Sequence, residues 1–127
     1  LSEADRATLR FPALGYLQEV LSALPPETEV VLAFMPVHVA AQPVPGTRAA
    51  AIEAECKARI TAIGKSRGAV VADWRIPSEI TTKDTNYWDN LHYRLPIAHR
   101  IARDLAGPVR AGRETDGSYR ILAAPGR

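Results

Sequence analysis

At 127 residues, with 46% hydrophobic and 24% charged side chains, the chain fits one globular domain and excludes disorder as its general state. Sixteen basic against fourteen acidic residues leave a net charge of +2, too small an imbalance to imply a nucleic-acid partner. A single cysteine, Cys56, excludes an internal disulfide, and no apolar run reaches the roughly 18 residues of a membrane span. The N-terminus lacks a basic-then-apolar signal pattern. Its first residue is Leu1 and not Met, which reads as a trimmed chain or a fragment.

Residues 1–10 are polar, with Glu3, Asp5, Arg6 and Arg10, and form a lead-in able to become helical. Phe11, Leu14, Leu17, Leu21 and Leu24 then recur at intervals of three and four, predicting an amphipathic helix that has Pro12 in its first turn and stops at Pro25-Pro26. Val30 to Met35 is a short apolar run rich in strand formers and reads as a buried parallel strand ended by Pro36. After a loop at Pro43 to Gly46, Thr47 is placed to cap a helix running to about Ile63. Ile52, Cys56, Ile60 and Ile63 form its apolar stripe, while Glu53 with Lys57 and Glu55 with Arg59 pair on its wet face. Gly64 to Gly68 reads as a turn, and Ala69 to Trp74 as a second buried strand, so the interval suits a right-handed βαβ crossover. A long polar loop, 75–88, follows. Pro96 opens the last helix, Gly107-Pro108 closes it, and Ile97, Ile101 and Leu105 share one face. Asp116-Gly117 then predicts a terminal hairpin between Val109 to Arg113 and Tyr119 to Leu122.

The chemistry lies in the turn before the last helix, where Trp88-Asp89-Asn90-Leu91-His92-Tyr93 sets a carboxylate three residues ahead of an imidazole. A carboxylate that accepts from one ring nitrogen leaves the other free as a general base. The plainer reading is a turn aspartate capping the next segment beside a histidine that satisfies a backbone carbonyl. This block, followed by a terminal helix and a short tail, resembles the Asp-x-x-His block near the C-terminus of SGNH (GDSL-type) hydrolases, especially bacterial members linked to the cell envelope. The order of strand, helix, strand and long loop ahead of it fits the same family. The resemblance implies that Asp89 orients and His92 acts as base, in a triad whose serine lies in an upstream Gly-Asp-Ser motif. It further implies a flavodoxin-like α/β fold, of which residues 1–127 are the single, C-terminal portion, as a partial three-layer sandwich of parallel strands and flanking helices. The expected activity is that of a serine esterase or O-acyltransferase on acyl esters, acetylated carbohydrate among them, without a cofactor and in the cell envelope or periplasm.

The nucleophile is the gap in this reading. Ser2, Ser22, Ser66, Ser78 and Ser118 lie in leads, helices, loops or turns, and none follows a strand in a Gly-Asp-Ser context. His38 lies just past the first strand, at the edge where open α/β sheets bind ligands, and is a candidate substrate contact. Trp88 and Tyr93 flank the Asp89 and His92 pair, where they either stack on a sugar ring or anchor the loop. Cys56 reads as core, His99 as solvated, and Asp73 as a strand-end residue bonded to loop amides. No His-x-x-x-His or Cys-x-x-Cys spacing is present, and no metal is predicted. Two strands and three helices leave a parallel sheet with bare edges. Upstream strands would complete it, or two copies would pair edges as a homodimer. The rival to the enzyme is therefore a non-catalytic α/β interaction or glycan-binding module.

Overall fold

The computed structural model of the chain describes residues 1–126. Among them are four helices, α1 (Glu3–Thr8), α2 (Ala13–Ala23), α3 (Arg48–Arg67) and α4 (Leu95–Ala106). Three strands, β1 (Val31–Phe34), β2 (Val70–Asp73) and β3 (Arg120–Ala123), form one sheet in the order β1-β2-β3. Short 3-10 turns at Val39–Ala41 and Asp84–Asn86 punctuate the two loops beyond the C-terminal ends of β1 and β2.

The expected βαβ unit is present: β1 and β2 pair in parallel, Val31 with Val70 through Phe34 with Asp73, and α3 connects them. Side chains alternate across the sheet. Val70, Ala72 and Trp74 enter the main core with Ile97 and Ile101 of α4, Ile80, Val109 and Tyr119. Val71 and Leu32 face the other way, toward Gly64 of α3. Helices thus cover both faces, a small mixed α/β sandwich, with α2 packed against α3. Trp74 and Tyr119 are both fully buried and meet at a ring separation of 4.9 Å, a contact of a kind worth about 1 kcal/mol beyond area burial.

Four expectations need correction. The hairpin does not form: residues 107–112 coil in helical turns, with Val109 N–H bonded to Asp104 O and Gly112 N–H to Val109 O, and Val109 fully buried. Freed of that partner, β3 pairs antiparallel with β2, whose second edge was open, so the sheet is mixed and not purely parallel. The first strand is only half-buried, with Ala33 exposed, because β1 is an edge. Finally, α3 runs a turn past Ile63 to Arg67 and ends at Gly68, whose φ of 72° is the left-handed cap that favours glycine.

The other helix ends follow from their sequences. Thr47 caps α3 by accepting from Ala50 N–H, and the polar lead-in becomes α1 through a reciprocal capping box between Ser2 and Asp5. Pro96 falls in the first turn of α4. Cys56 lies half-buried on α3, and burial pushes its thiol up.

Candidate functional site

The loop from β2 to α4 is ordered by its own polar side chains. Ser78 N–H donates to Thr81 Oγ1, Thr81 Oγ1 donates to Ile76 O, and Asn86 Nδ2 donates to Glu79 O and Ile80 O. Ile80 and Thr81 are fully buried, so the segment is a packed part of the domain. It rises into a short hairpin: Arg94 N–H bonds Asn86 O, Tyr87 bridges Tyr93 antiparallel, and Trp88 N–H bonds His92 O at 2.8 Å. Asp89, Asn90 and Leu91 are its tip.

At that tip the Asp89 carboxylate does two things. Oδ1 accepts from the backbone N–H of Leu91 at 2.7 Å and of His92 at 2.9 Å, an Asx turn that fixes the carboxylate. Both oxygens also sit at 2.8 to 2.9 Å from His92 Nδ1. An ionised carboxylate only accepts, so Nδ1 carries the hydrogen, and in the neutral ring the lone pair is on Nε2. The Leu91 N–H first, and then the His92 ring, hold the Asp89 carboxyl below the usual carboxylate range. One carboxylate thus makes both the turn's capping bonds and the contact with the imidazole.

The hairpin stands beyond the C-terminal end of β1, because His38 N–H donates to Asn90 O at 2.9 Å. The dyad is open to solvent: the side chain of His92 is 71% exposed and that of Asp89 58%. Trp88 is 72% exposed beside it, and the Arg94 guanidinium stacks on its ring at 4.0 Å. Tyr93 is half-buried against the core and Tyr87 is buried, so of the three aromatics only Trp88 faces outward. Burial pushes the Tyr87 hydroxyl up to about 12.

His38 lies where the sequence placed it, at the sheet edge, but its ring is occupied. Nδ1 accepts from Ala40 N–H at 3.1 Å, leaving the hydrogen on Nε2, which donates to Asp84 Oδ1 at 2.9 Å. A ligand contact by this ring would first break one of those bonds. Among the described residues no serine bonds His92. Ser2 and Ser78 accept from nearby backbone N–H groups, Ser22 and Ser66 donate within their helices, and Ser118 is buried.

A second polar cluster lies at the same edge: the loop-amide bond of Asp73 and the Glu53 with Lys57 pair are as the sequence indicated, but the link between Lys57 and Asp73 escaped it. Lys57 Nζ reaches down from α3 to Asp73 Oδ2 at 2.7 Å and Arg75 O at 2.9 Å, while Asp73 Oδ1 accepts from Arg75 N–H. Lys57 is therefore largely buried and not on the wet face, with Glu53 at 3.4 Å as its outer partner. Two of the ammonium's three N–H groups are thus spent on Asp73 and Arg75 O, with Glu53 close by as a counter-charge. Among the described residues no group of three or more His, Cys, Asp and Glu side chains could hold a metal ion, and no helix is long and apolar enough to cross a membrane. No protein-family model, no curated protein and no solved structure matches this chain.

Proposed function

We propose that this chain carries the acid–base half of an SGNH-like serine esterase or O-acyltransferase, with the nucleophilic serine supplied by polypeptide outside these 127 residues. The observation that carries the reading is the doubly anchored Asp89 carboxylate gripping Nδ1 of a largely exposed His92 ring, whose Nε2 has no hydrogen-bond partner among the described residues. In this reaction His92 Nε2 takes the proton of the serine hydroxyl as Oγ attacks the ester carbonyl, and Asp89 stabilises the imidazolium. The proton then passes to the departing alcohol, leaving an acyl-serine that water or an acceptor hydroxyl discharges. Oxyanion donors come with the serine segment. The substrate is an acyl ester, acetylated carbohydrate being the favoured class, for which exposed Trp88 offers an aromatic face. No cofactor takes part.

Exposed Trp88, backed by Arg94, also favours a second reading, a non-catalytic module that binds a partner or glycan through the same tip. Hydrolysis of an aryl acetate separates the two. This chain alone is expected to give no turnover above background, and the chain joined to a Gly-Asp-Ser-bearing segment to be active. There His92→Ala is expected to cost roughly 10³- to 10⁴-fold in kcat, and Asp89→Asn a similar factor or less. Turnover by the present chain, or a joined protein indifferent to His92→Ala, overturns the catalytic reading.

A further inference from the structure

Three attachments between the sheet and the dyad hairpin meet at His38. Its backbone N–H holds Asn90 O at the hairpin tip. Its Nδ1 closes the Val39–Ala41 turn through Ala40 N–H, and its Nε2 donates to Asp84, which opens the turn leading into the hairpin. Its ring stands edge-on to Tyr87 at 5.4 Å and 90°, and Tyr87 is the residue that bridges Tyr93 at the hairpin base. One residue further on, Val39 N–H bonds Thr81 O at 2.8 Å.

We propose that His38 is the positioning residue of the dyad, a neutral ring clamp that fixes the Asp89 and His92 hairpin against the end of β1. The His38 side chain is 12% exposed and that of Asp84 93%, so packing and hydrogen-bond direction carry the clamp, and the screened charge of Asp84 adds little. The Asx turn that holds His92 spans only three residues and keeps its shape while the hairpin around it stays paired. Releasing the hairpin base lets that turn fray and the imidazole wander. The effect on turnover rests on the esterase reading, whereas the clamp itself is independent of it.

Long-range ¹H–¹⁵N correlation of the imidazole rings in this chain, at mildly alkaline pH, tests the clamp directly. His38 is expected to be the Nε2–H tautomer and His92 the Nδ1–H tautomer. In His38→Ala the His92 signature moves toward that of a free, averaging ring. His38→Asn, whose side-chain oxygen can still accept from Ala40 N–H, restores it in part. Asp84→Ala removes an exposed side chain, leaves folding intact and shifts the same signature less. A His38 ring with its hydrogen on Nδ1, or a His92 signature unmoved by both His38→Ala and Asp84→Ala, overturns the proposal. In the catalytically complete protein, His38→Ala lowers kcat about 10- to 100-fold with little change in KM, the usual scale for misplaced catalytic groups. Full activity of His38→Ala where His92→Ala is inactive also overturns the positioning role. An active His92→Ala instead removes the esterase reading and leaves the clamp to the ring signatures.

Discussion

Lys57 and Asp73 bring opposite charges into the interior at the sheet edge that also supports the dyad. The Asp73 side chain is 5% exposed and that of Lys57 17%. Removing one member of such a pair strands the other without a counter-charge, which costs more than the pair contributes over neutral residues. Lys57→Met is therefore expected to destabilise the chain by about 3 kcal/mol, read as a lowered urea midpoint. Adding Asp73→Asn should recover most of that loss, because a neutral side-chain oxygen still accepts from Arg75 N–H and needs no cation. A single Lys57→Met variant as stable as the parent would show that Asp73 is satisfied without the lysine. The pair was not legible in the sequence because its members lie 16 residues apart on different elements. The i,i+4 pattern drew Lys57 toward Glu53 on its own helix. Asp89 and His92 were legible because their contact spans three residues and is made by local chain geometry alone.

Between elements, the close approach of α3 to the sheet is set by Gly64. A Cβ there would lie 2.5 Å from Val71 Cγ2 and 3.3 Å from Leu32 Cδ1, so the helix rests on β2 and β1 where glycine leaves room. Gly64→Ala improves helix propensity but overpacks this seam, and the steric term wins. We expect a net loss of about 1–3 kcal/mol by chemical denaturation, with Val71→Ala in the same chain returning part of it. A Gly64→Ala variant more stable than the parent would mean that the seam gives way freely. The same residue explains why the end of α3 was misread. Gly64 to Gly68 has the composition of a turn, yet only Gly68 occupies a left-handed conformation, and Gly64 is a packing residue inside the helix. The missing hairpin has a similar origin. Asp116-Gly117 does turn the chain, with Ser118 N–H bonded to Asp116 Oδ1, but a turn does not choose a strand's partner. The open edge of β2 did.

At the scale of the molecule, periodicity foretold the βαβ unit, and the three-layer arrangement follows once β2 is buried on both faces. The fastenings at the periphery were not foretold, since they join charges distant in sequence. Arg48 ties to Asp5 and Arg6 to Glu55, strapping α1 onto α3, while Arg100 ties α4 to Glu79 and Asp116. These contacts give stability a definite pH dependence. Ser2, by its backbone N–H and its hydroxyl, together with Arg48, holds the Asp5 carboxyl at about 2 against an ordinary 3.8. Ser118 and then Arg100 hold Asp116 at about 2. Glu55 is lowered chiefly by Arg59, while Asp104 is raised by burial and acts in the opposite sense. A carboxyl whose pKa is lower in the folded than in the unfolded chain contributes its full stability above the unfolded value and loses it as pH falls through the folded value. The lowered groups outnumber the raised one, so the urea midpoint should hold steady above about pH 5 and decline between about pH 4 and pH 2. Asp116→Asn should lower the neutral-pH midpoint and shallow that decline, because its amide gives up the charge-assisted bond to Arg100 at every pH. Asp104 acts earlier: as pH falls toward the unfolded value of 3.8 its protonation should add stability, offsetting the onset of the decline, and Asp104→Asn, already neutral, should remove that gain. Urea titrations of the parent and both variants across this range check the signs, and a midpoint that rises as the parent is acidified would reverse the assignment of Asp5 and Asp116 as stabilising carboxylates.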